Sequence, residues 1–344
     1  MKTELMLQKA YLANETVDTI YLGGGTPSVL ENKELNGLID IIFRNFNIAN
    51  KPEITIEANP DDLSIAKTKD LKSIGINRIS IGIQSFDDKI LRLLNRVHNA
   101  NDGLKAIQNA DRAGFDNINL DLIFAITENH NSILVQDIRR ILEIQPQHVS
   151  AYSLTIESKT VLGNWRKKGK FKEVSSDRAA DELEFIIDSL TDNGYEHYEV
   201  SNFAKPGFIS LHNSSYWKQV PYLGIGPSAH SFNGINRQFN ISNNSRYIKS
   251  LKSKKIPAEI DYLTDTDRIN EQILTGLRTK WGVDLFLIKR KYGIDIEMYN
   301  KSYIQNLISL NLATFNNGKL QLKKKGMLIA DKICSDLFFI DKND

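Results

Sequence analysis

Short apolar runs alternate with amphipathic stretches through the first two-thirds of the chain, repeating at roughly 30 residues. The apolar runs predict strands at Thr19–Leu22, Glu53–Glu57, Arg78–Ile83, Asn117–Ile123, His148–Leu154 and His197–Val200. Between them, apolar positions recur at helical spacing over Lys33–Arg44, Ile65–Ile74, Asp87–Leu94, Asp102–Ala113, Ile133–Leu142 and Asp177–Asp192. Gly75, Gly114 and Gly194 each follow a helix, where a left-handed C-terminal cap is expected. Ile79-Ser80-Ile81-Gly82-Ile83 and Leu120-Asp121-Leu122-Ile123-Phe124 suit parallel strands buried on both faces. The pattern predicts an α/β fold of stacked βα units.

In such folds ligands lie beyond the carboxyl ends of the strands. Here those ends carry Gly23–Thr26, Glu57 with Asn59, Gln84 with Ser85, Asp121, and Ser153 with Thr155. Five successive strands ending in glycine or polar residues predict one shared polar chamber. The first strand runs straight into Gly23-Gly24-Gly25-Thr26-Pro27-Ser28. Without Cβ atoms, these glycines allow a sharp turn and let backbone N–H and C=O groups approach a ligand closely. Pro27 and Ser28 then precede a helical pattern from about Leu30, with Glu31 and Glu34 near its positive end.

From about Asn236 the pattern changes. Asn240–Ser245 reads as a polar linker, which predicts a barrel domain over residues 1–238 and a smaller helical domain over 239–344. Helices are expected at Tyr247–Lys252, Asp265–Leu277 and Leu285–Lys291. Leu310–Leu322 reads as a hairpin turning at Asn317-Gly318, so this part is expected to be winged-helix-like.

Composition narrows the function classes. A formal charge of +2, with no basic stripe interleaved by aromatics, argues against a nucleic-acid partner. No apolar run reaches the ~20 residues of a membrane span, and Met1–Leu5 lacks a secretory apolar core, so a cytoplasmic location is expected. The single cysteine, Cys334, excludes an intrachain disulfide and a cysteine-rich metal site; its amphipathic surroundings predict a core position.

The motifs Gly23-Gly24-Gly25-Thr26-Pro27-Ser28, Ile56-Glu57-Ala58-Asn59-Pro60, Ser80-Ile81-Gly82-Ile83-Gln84-Ser85-Phe86, Leu94-Asn95-Arg96 and Asn119-Leu120-Asp121-Leu122-Ile123 occur in one order. Further along come Val149–Glu157, Tyr198–Ala204, His212-Asn213-Ser214-Ser215-Tyr216-Trp217, Tyr222–Ser231 and Gly276-Leu277-Arg278-Thr279. The set resembles radical S-adenosylmethionine proteins, in the branch that holds oxygen-independent coproporphyrinogen III oxidases and the HemW haem chaperones. The resemblance implies a partial (β/α) barrel lacking its first strand. It also implies S-adenosylmethionine as a ligand of Gly23, Gly24, Gly25, Thr26, Glu57, Gln84, Arg96, Asp121 and Thr155. A guanidinium suits the methionyl carboxylate, and carboxylates or amides suit an ammonium and ribose hydroxyls.

The H-N-x-x-Y-W motif separates the two branches. In the chaperone branch it implies haem held by His212, whose imidazole would ligate the iron, with Tyr216 and Trp217 beside the porphyrin. His230 is a second candidate; His98, His130, His148 and His197 belong to no motif. The implied function is haem binding and delivery to acceptor haemoproteins, respiratory-chain proteins among them. The alternatives are oxidative decarboxylation of coproporphyrinogen III and a barrel-shaped binding protein without either cofactor.

The sequence departs from the family in two places. The family carries a [4Fe–4S] cluster on C-x-x-x-C-x-x-C after its first strand, and this chain opens instead in what reads as the end of the first helix, Leu5–Leu12. As written, the chain is not expected to cleave S-adenosylmethionine reductively. Either the sequence starts late or the protein is a cluster-free descendant; an apolar edge beside Thr19–Leu22 favours the former. The second departure is Ile123-Phe124-Ala125-Ile126-Thr127, where the family has a glycine-leucine-proline turn.

Overall fold

The computed structural model describes residues 1–127 and 131–340; His130 lies outside the described residues. The chain forms two compact units. One comprises residues 21–32 and 53–210; the other comprises 1–20, 33–52 and 211–344.

A seven-stranded sheet is built from β1 (Thr16–Leu22), β2 (Asn47–Ala58), β3 (Arg78–Gln84), β4 (Ile118–Phe124), β5 (His148–Ser153), β6 (Glu196–Glu199) and β7 (Asn202–Ala204). The strands lie in the order β1-β2-β3-β4-β5-β7-β6. β2 to β5 are mutually parallel, with Ile56 beside Ile79, Ile81 beside Leu120, and Leu122 beside Ala151. One face packs Ile79, Ile81, Leu120, Leu122, Val149 and Ala151, all essentially buried. By the two-residue alternation of a strand, the opposite face receives Arg78, Ser80, Asn119, His148 and Ser150, which are also buried. The sheet is thus covered on both sides, but its inner side is polar.

Helices over Asn32–Asn45, Ile65–Ser73, Asp88–Leu93, Ala100–Arg112, Asn131–Ile144 and Ser176–Thr191 connect the strands. Gly75, Gly114 and Gly194 end three of them at φ of 96°, 85° and 86°, the left-handed caps that the sequence predicts. Two features differ from expectation. The helix after the glycine turn begins only at Asn32, with a single 3-10 turn at Pro27–Val29 before it. The last predicted strand, β6, pairs not with β5 but with β7, a three-residue strand that runs antiparallel to both neighbours. Three residues are too few for a period-2 signal to register.

The second unit holds a small antiparallel sheet of β8 (His230–Phe232), β9 (Arg237–Asn240) and β10 (Ala258–Asp261), which the polar composition of Arg237–Asn240 concealed. The polar stretch 240–245 closes β9 and caps the helix Asn244–Lys252, whose Arg246 N–H bonds the Asn243 side chain. Asn240 is buried, and with Tyr247 and the Gly226 N–H it donates to the fully buried carboxylate of Glu4. Farther on, β11 (Val283–Asp284), β12 (Ala313–Asn316) and β13 (Lys319–Leu322) form a three-stranded sheet beside the helix Asp265–Leu277. Asn317 and Gly318, both at positive φ, make the predicted hairpin turn. Cys334 is buried in the helix Ala330–Leu337, as its pattern requires. Among the described residues, no helix is long and apolar enough to cross a membrane.

Candidate functional site

The glycine turn at the end of β1 is tied down by one carboxylate. Glu57, near the end of β2, accepts the Tyr21 hydroxyl at 2.8 Å on Oε1 and the Gly24 N–H at 2.9 Å on Oε2. A Cβ on Gly23 would stand 2.5 Å from the Tyr21 ring and 3.0 Å from Glu57 Oε1, so only glycine fits there. Gly24 and Gly25 have φ of 77° and 68°, and nothing lies within 4 Å of where their side chains would be. The turn is held from below and open above. Burial, followed by the charge of Glu57, pushes the Tyr21 phenol well above its ordinary range, so it stays a donor.

A second chain of contacts runs from Thr26 to Arg96. Asn59 donates to Thr26 Oγ1 at 3.4 Å and accepts from Arg96 Nη2 at 2.7 Å; the same nitrogen reaches the Gly82 carbonyl at 3.3 Å. Arg96 is presented by a Schellman turn after the helix Asp88–Leu93. Asn95 takes φ 55°, its N–H bonds the Arg92 carbonyl, and the Arg96 N–H bonds the Leu91 carbonyl. Leu94-Asn95-Arg96 is therefore a device for aiming a guanidinium. Gln84 adopts φ 66° beyond an irregularity in β3, which turns its amide back over Gly82; a Cβ there would meet Gln84 Nε2 at 2.8 Å and Arg96 Nη2 at 3.4 Å.

Asp121 completes the group. It accepts from Asn119 Nδ2 at 2.8 Å and from Ser80 Oγ at 3.2 and 3.3 Å. Burial raises its pKa to about 6, with the Asn119 and Ser80 hydrogen bonds pulling the other way and the charge of Glu57 adding to the rise. Arg96 feels both Asp61 and Asp121, while burial lowers its own pKa. Beneath lies a fixed network: His148 bridges Asn119 Oδ1 at 2.5 Å and the Tyr198 hydroxyl at 2.8 Å. Burial first, and Arg78 second, keep that imidazole neutral. The structure thus brings Gly23–Thr26, Glu57, Gln84, Arg96 and Asp121 together in one unit. Thr155 stands exposed in the loop past β5.

The expectations did not include Tyr21, Ser80 and Asn119 as partners of the site. Strand alternation carried the signal: Ser80 stands two residues before Gly82, and Asn119 two before Asp121, on the same inner face.

In the other unit, His212 lies half-buried on the short helix Leu211–Trp217. Its Nδ1 shares a hydrogen bond with Thr19 Oγ1 at 3.0 Å, and its Nε2 meets the Tyr216 hydroxyl at 3.1 Å. The two rings meet edge to face at 5.0 Å, and Tyr216 meets Tyr222 in the same way at 4.7 Å. Trp217 packs differently: the Arg278 guanidinium lies over its ring at 5.6 Å. His230 is exposed at the start of β8, 6.1 Å from the Phe239 ring. His98, His148 and His197 are each engaged by carbonyl or side-chain partners in the first unit.

The Radical SAM superfamily pattern matches residues 1–140, and the HemN C-terminal domain matches residues 263–329. The chain is 35% identical over 329 residues to a protein named Heme chaperone HemW from Lactococcus lactis, covering 96% of this chain and 86% of that one. The chain belongs to the HemW family. HemW of Bacillus subtilis is 33% identical over 335 residues, covering 97% of this chain and 88% of the relative. The solved structure of coproporphyrinogen III oxidase (HemN) from Escherichia coli superposes with a TM-score of 0.82 at 22% identity, over 98% of this chain and 81% of that chain. That likeness shows the fold: a curled, partial radical SAM barrel followed by a helical C-terminal region, as expected for HemW from the sequence.

Proposed function

We propose that this chain binds haem and delivers it to acceptor haemoproteins, on a scaffold that also holds S-adenosylmethionine. The observation that carries the reading is the setting of His212 within the H-N-x-x-Y-W helix of a HemW-family chain. A metal-binding imidazole is oriented by a hydrogen bond at its second nitrogen. Thr19 fills that role at Nδ1, and Nε2, beside Tyr216, would ligate the iron. With haem bound, the Tyr216 hydroxyl would release Nε2 and its ring would stand beside the porphyrin; haem would supply an iron centre that an imidazole nitrogen can ligate.

The residues of the first unit fit S-adenosylmethionine. The open left-handed glycines offer backbone groups on a turn that Glu57 holds, Arg96 offers a guanidinium to a carboxylate, and Asp121 offers negative charge to an ammonium and a sulfonium. Thr155 would contribute from the loop past β5. S-adenosylmethionine supplies a sulfonium centre; the chain's residues bind and orient it. The residues of this chain do not fit the [4Fe–4S] cluster of the family. Cys334 is the single cysteine, buried, with its thiol pushed up to about 12 by that burial. Among the described residues, no group of three or more His, Cys, Asp or Glu side chains could hold a metal ion. No reductive step is assigned to this chain.

The test is transfer. Haem-loaded protein mixed with an apo-haemoprotein of respiratory type should pass its haem on faster than free haem at the same concentration reaches the acceptor. Transfer no faster than from free haem would refute delivery.

A further inference from the structure

The helix that carries His212 ends against a group of cations and indoles. Arg278 lies over Trp217 at 5.6 Å. Lys218, the next residue after that tryptophan, lies over Trp281 at 4.6 Å, and Lys280 approaches the same ring at 6.0 Å. The contacts interlock, because residues 217 and 218 each face one member of the segment 278–281. Three cations therefore gather around two half-buried indoles, and the Asp331 carboxylate bonds the Arg278 guanidinium. A guanidinium stacked on a ring presents its N–H edge sideways, where a planar carboxylate can meet it.

From the geometry we infer that Arg278 and Lys218, supported by Lys280, bind the two propionate carboxylates of haem; the inference rests on His212 as the iron ligand. His212 and Lys218 are six residues apart on one helical path, the Lys218 N–H still bonding the Ser214 carbonyl at 3.0 Å. Six residues advance about 9 Å along a helix and rotate about 240° around it, so the long Lys218 side chain would reach the haem edge from the flank of the helix. The haem edge that bears negative charge would then meet the positive cluster, while its apolar body covers Tyr216 and Trp217. Trp217 acts as a platform that fixes the guanidinium.

The experiment compares ferric haem with its dimethyl ester, which keeps the iron and macrocycle but has no carboxylates. Both are titrated by Soret absorbance into the full chain, its Arg278→Met/Lys218→Met variant and its His212→Ala variant. Unmodified protein is expected to bind haem about tenfold tighter than the ester, a difference of about 1.4 kcal/mol. The double variant should lose that preference and leave the ester unaffected. Equal affinity for both ligands, or an unchanged preference in the double variant, overturns the inference. If Arg278→Met fails to fold without its Asp331 partner, Lys218→Met alone, at an exposed side chain, should give a preference reduced two- to threefold; no reduction counts against it. His212→Ala reads separately: a Soret spectrum of bound ester unchanged by it would remove the iron assignment while leaving the propionate preference measurable.

Discussion

Replacing Glu57 by alanine tests whether the glycine turn is held in place before ligand arrives. Its carboxylate accepts two hydrogen bonds, from Tyr21 at 2.8 Å and from the Gly24 N–H at 2.9 Å. A hydrogen bond to a charged acceptor contributes about 1.5–3 kcal/mol. The Gly24 bond is near solvent, so water replaces it cheaply in the free protein. Its loss is felt when the ligand must order three glycine residues, whose backbone entropy is high. One such bond, about 1.5–3 kcal/mol, corresponds to S-adenosylmethionine binding weakened roughly 10- to 150-fold. Glu57→Gln should recover most of this, because its carbonyl can face Gly24 N–H while its amide donates to the Tyr21 oxygen. Calorimetric titration of the three proteins, with thermal melts to confirm folding, gives the comparison. Binding by Glu57→Ala within twofold of the parent would refute the preorganisation argument. A Glu57→Gln variant as weak as Glu57→Ala would show instead that the charge meets the ligand directly.

Asp121 predicts a pH dependence: with its native pKa raised to about 6 from 3.8, the folded state holds the proton more tightly than the unfolded chain does. Its contribution to stability is therefore present at low pH and is lost as pH rises through that window. Affinity for a cationic ligand runs the opposite way, rising as pH passes through 6, and Asp121→Asn should flatten that rise in dissociation constants measured from pH 5 to 8. Ala125 sits at φ 56° with its N–H on the buried Glu182 carboxylate. A left-handed alanine costs about 1–2 kcal/mol and glycine's extra chain entropy about 0.5–1, so Ala125→Gly should add about 0.5–1 kcal/mol of stability, read as a higher urea midpoint at unchanged m; a lower midpoint would contradict this. Glu4→Ala leaves the Gly226 N–H and Tyr247 without this acceptor in a buried place, and Asn240 Nδ2 with only the Gly226 carbonyl. A loss of about 3 kcal/mol or more is expected in denaturant titrations, with Glu4→Gln much milder.

The parallel strands and their helices were legible because each is long enough to show a period, and three of the helices are followed by a glycine whose φ only glycine takes easily. β7 and the β8–β10 sheet were not, since three or four residues with polar members such as Arg237 and Asn240 carry no alternation that can be distinguished from a loop. At the site, sequence named the residues at strand tips but not what they hold. Glu57 reads as a ligand group, and the structure adds that it grips the glycine turn; Asn59 reads as a loop residue and joins Thr26 to Arg96. Such pairings link positions 33 and 37 residues apart, set by sheet register rather than local pattern. The turn at Ala125 is the converse case, where a left-handed backbone, φ 56°, is taken by a residue that nothing in the local sequence marks for it.

The central claim is that His212 places a nitrogen on haem iron. Ferric haem titrated into the full chain should give a shifted Soret band that saturates at one haem per chain, and a low-spin or high-spin imidazole signature in electron paramagnetic resonance. His212→Ala should lose that signature and bind at least tenfold more weakly. Identical spectra and affinity in the two proteins would contradict the account.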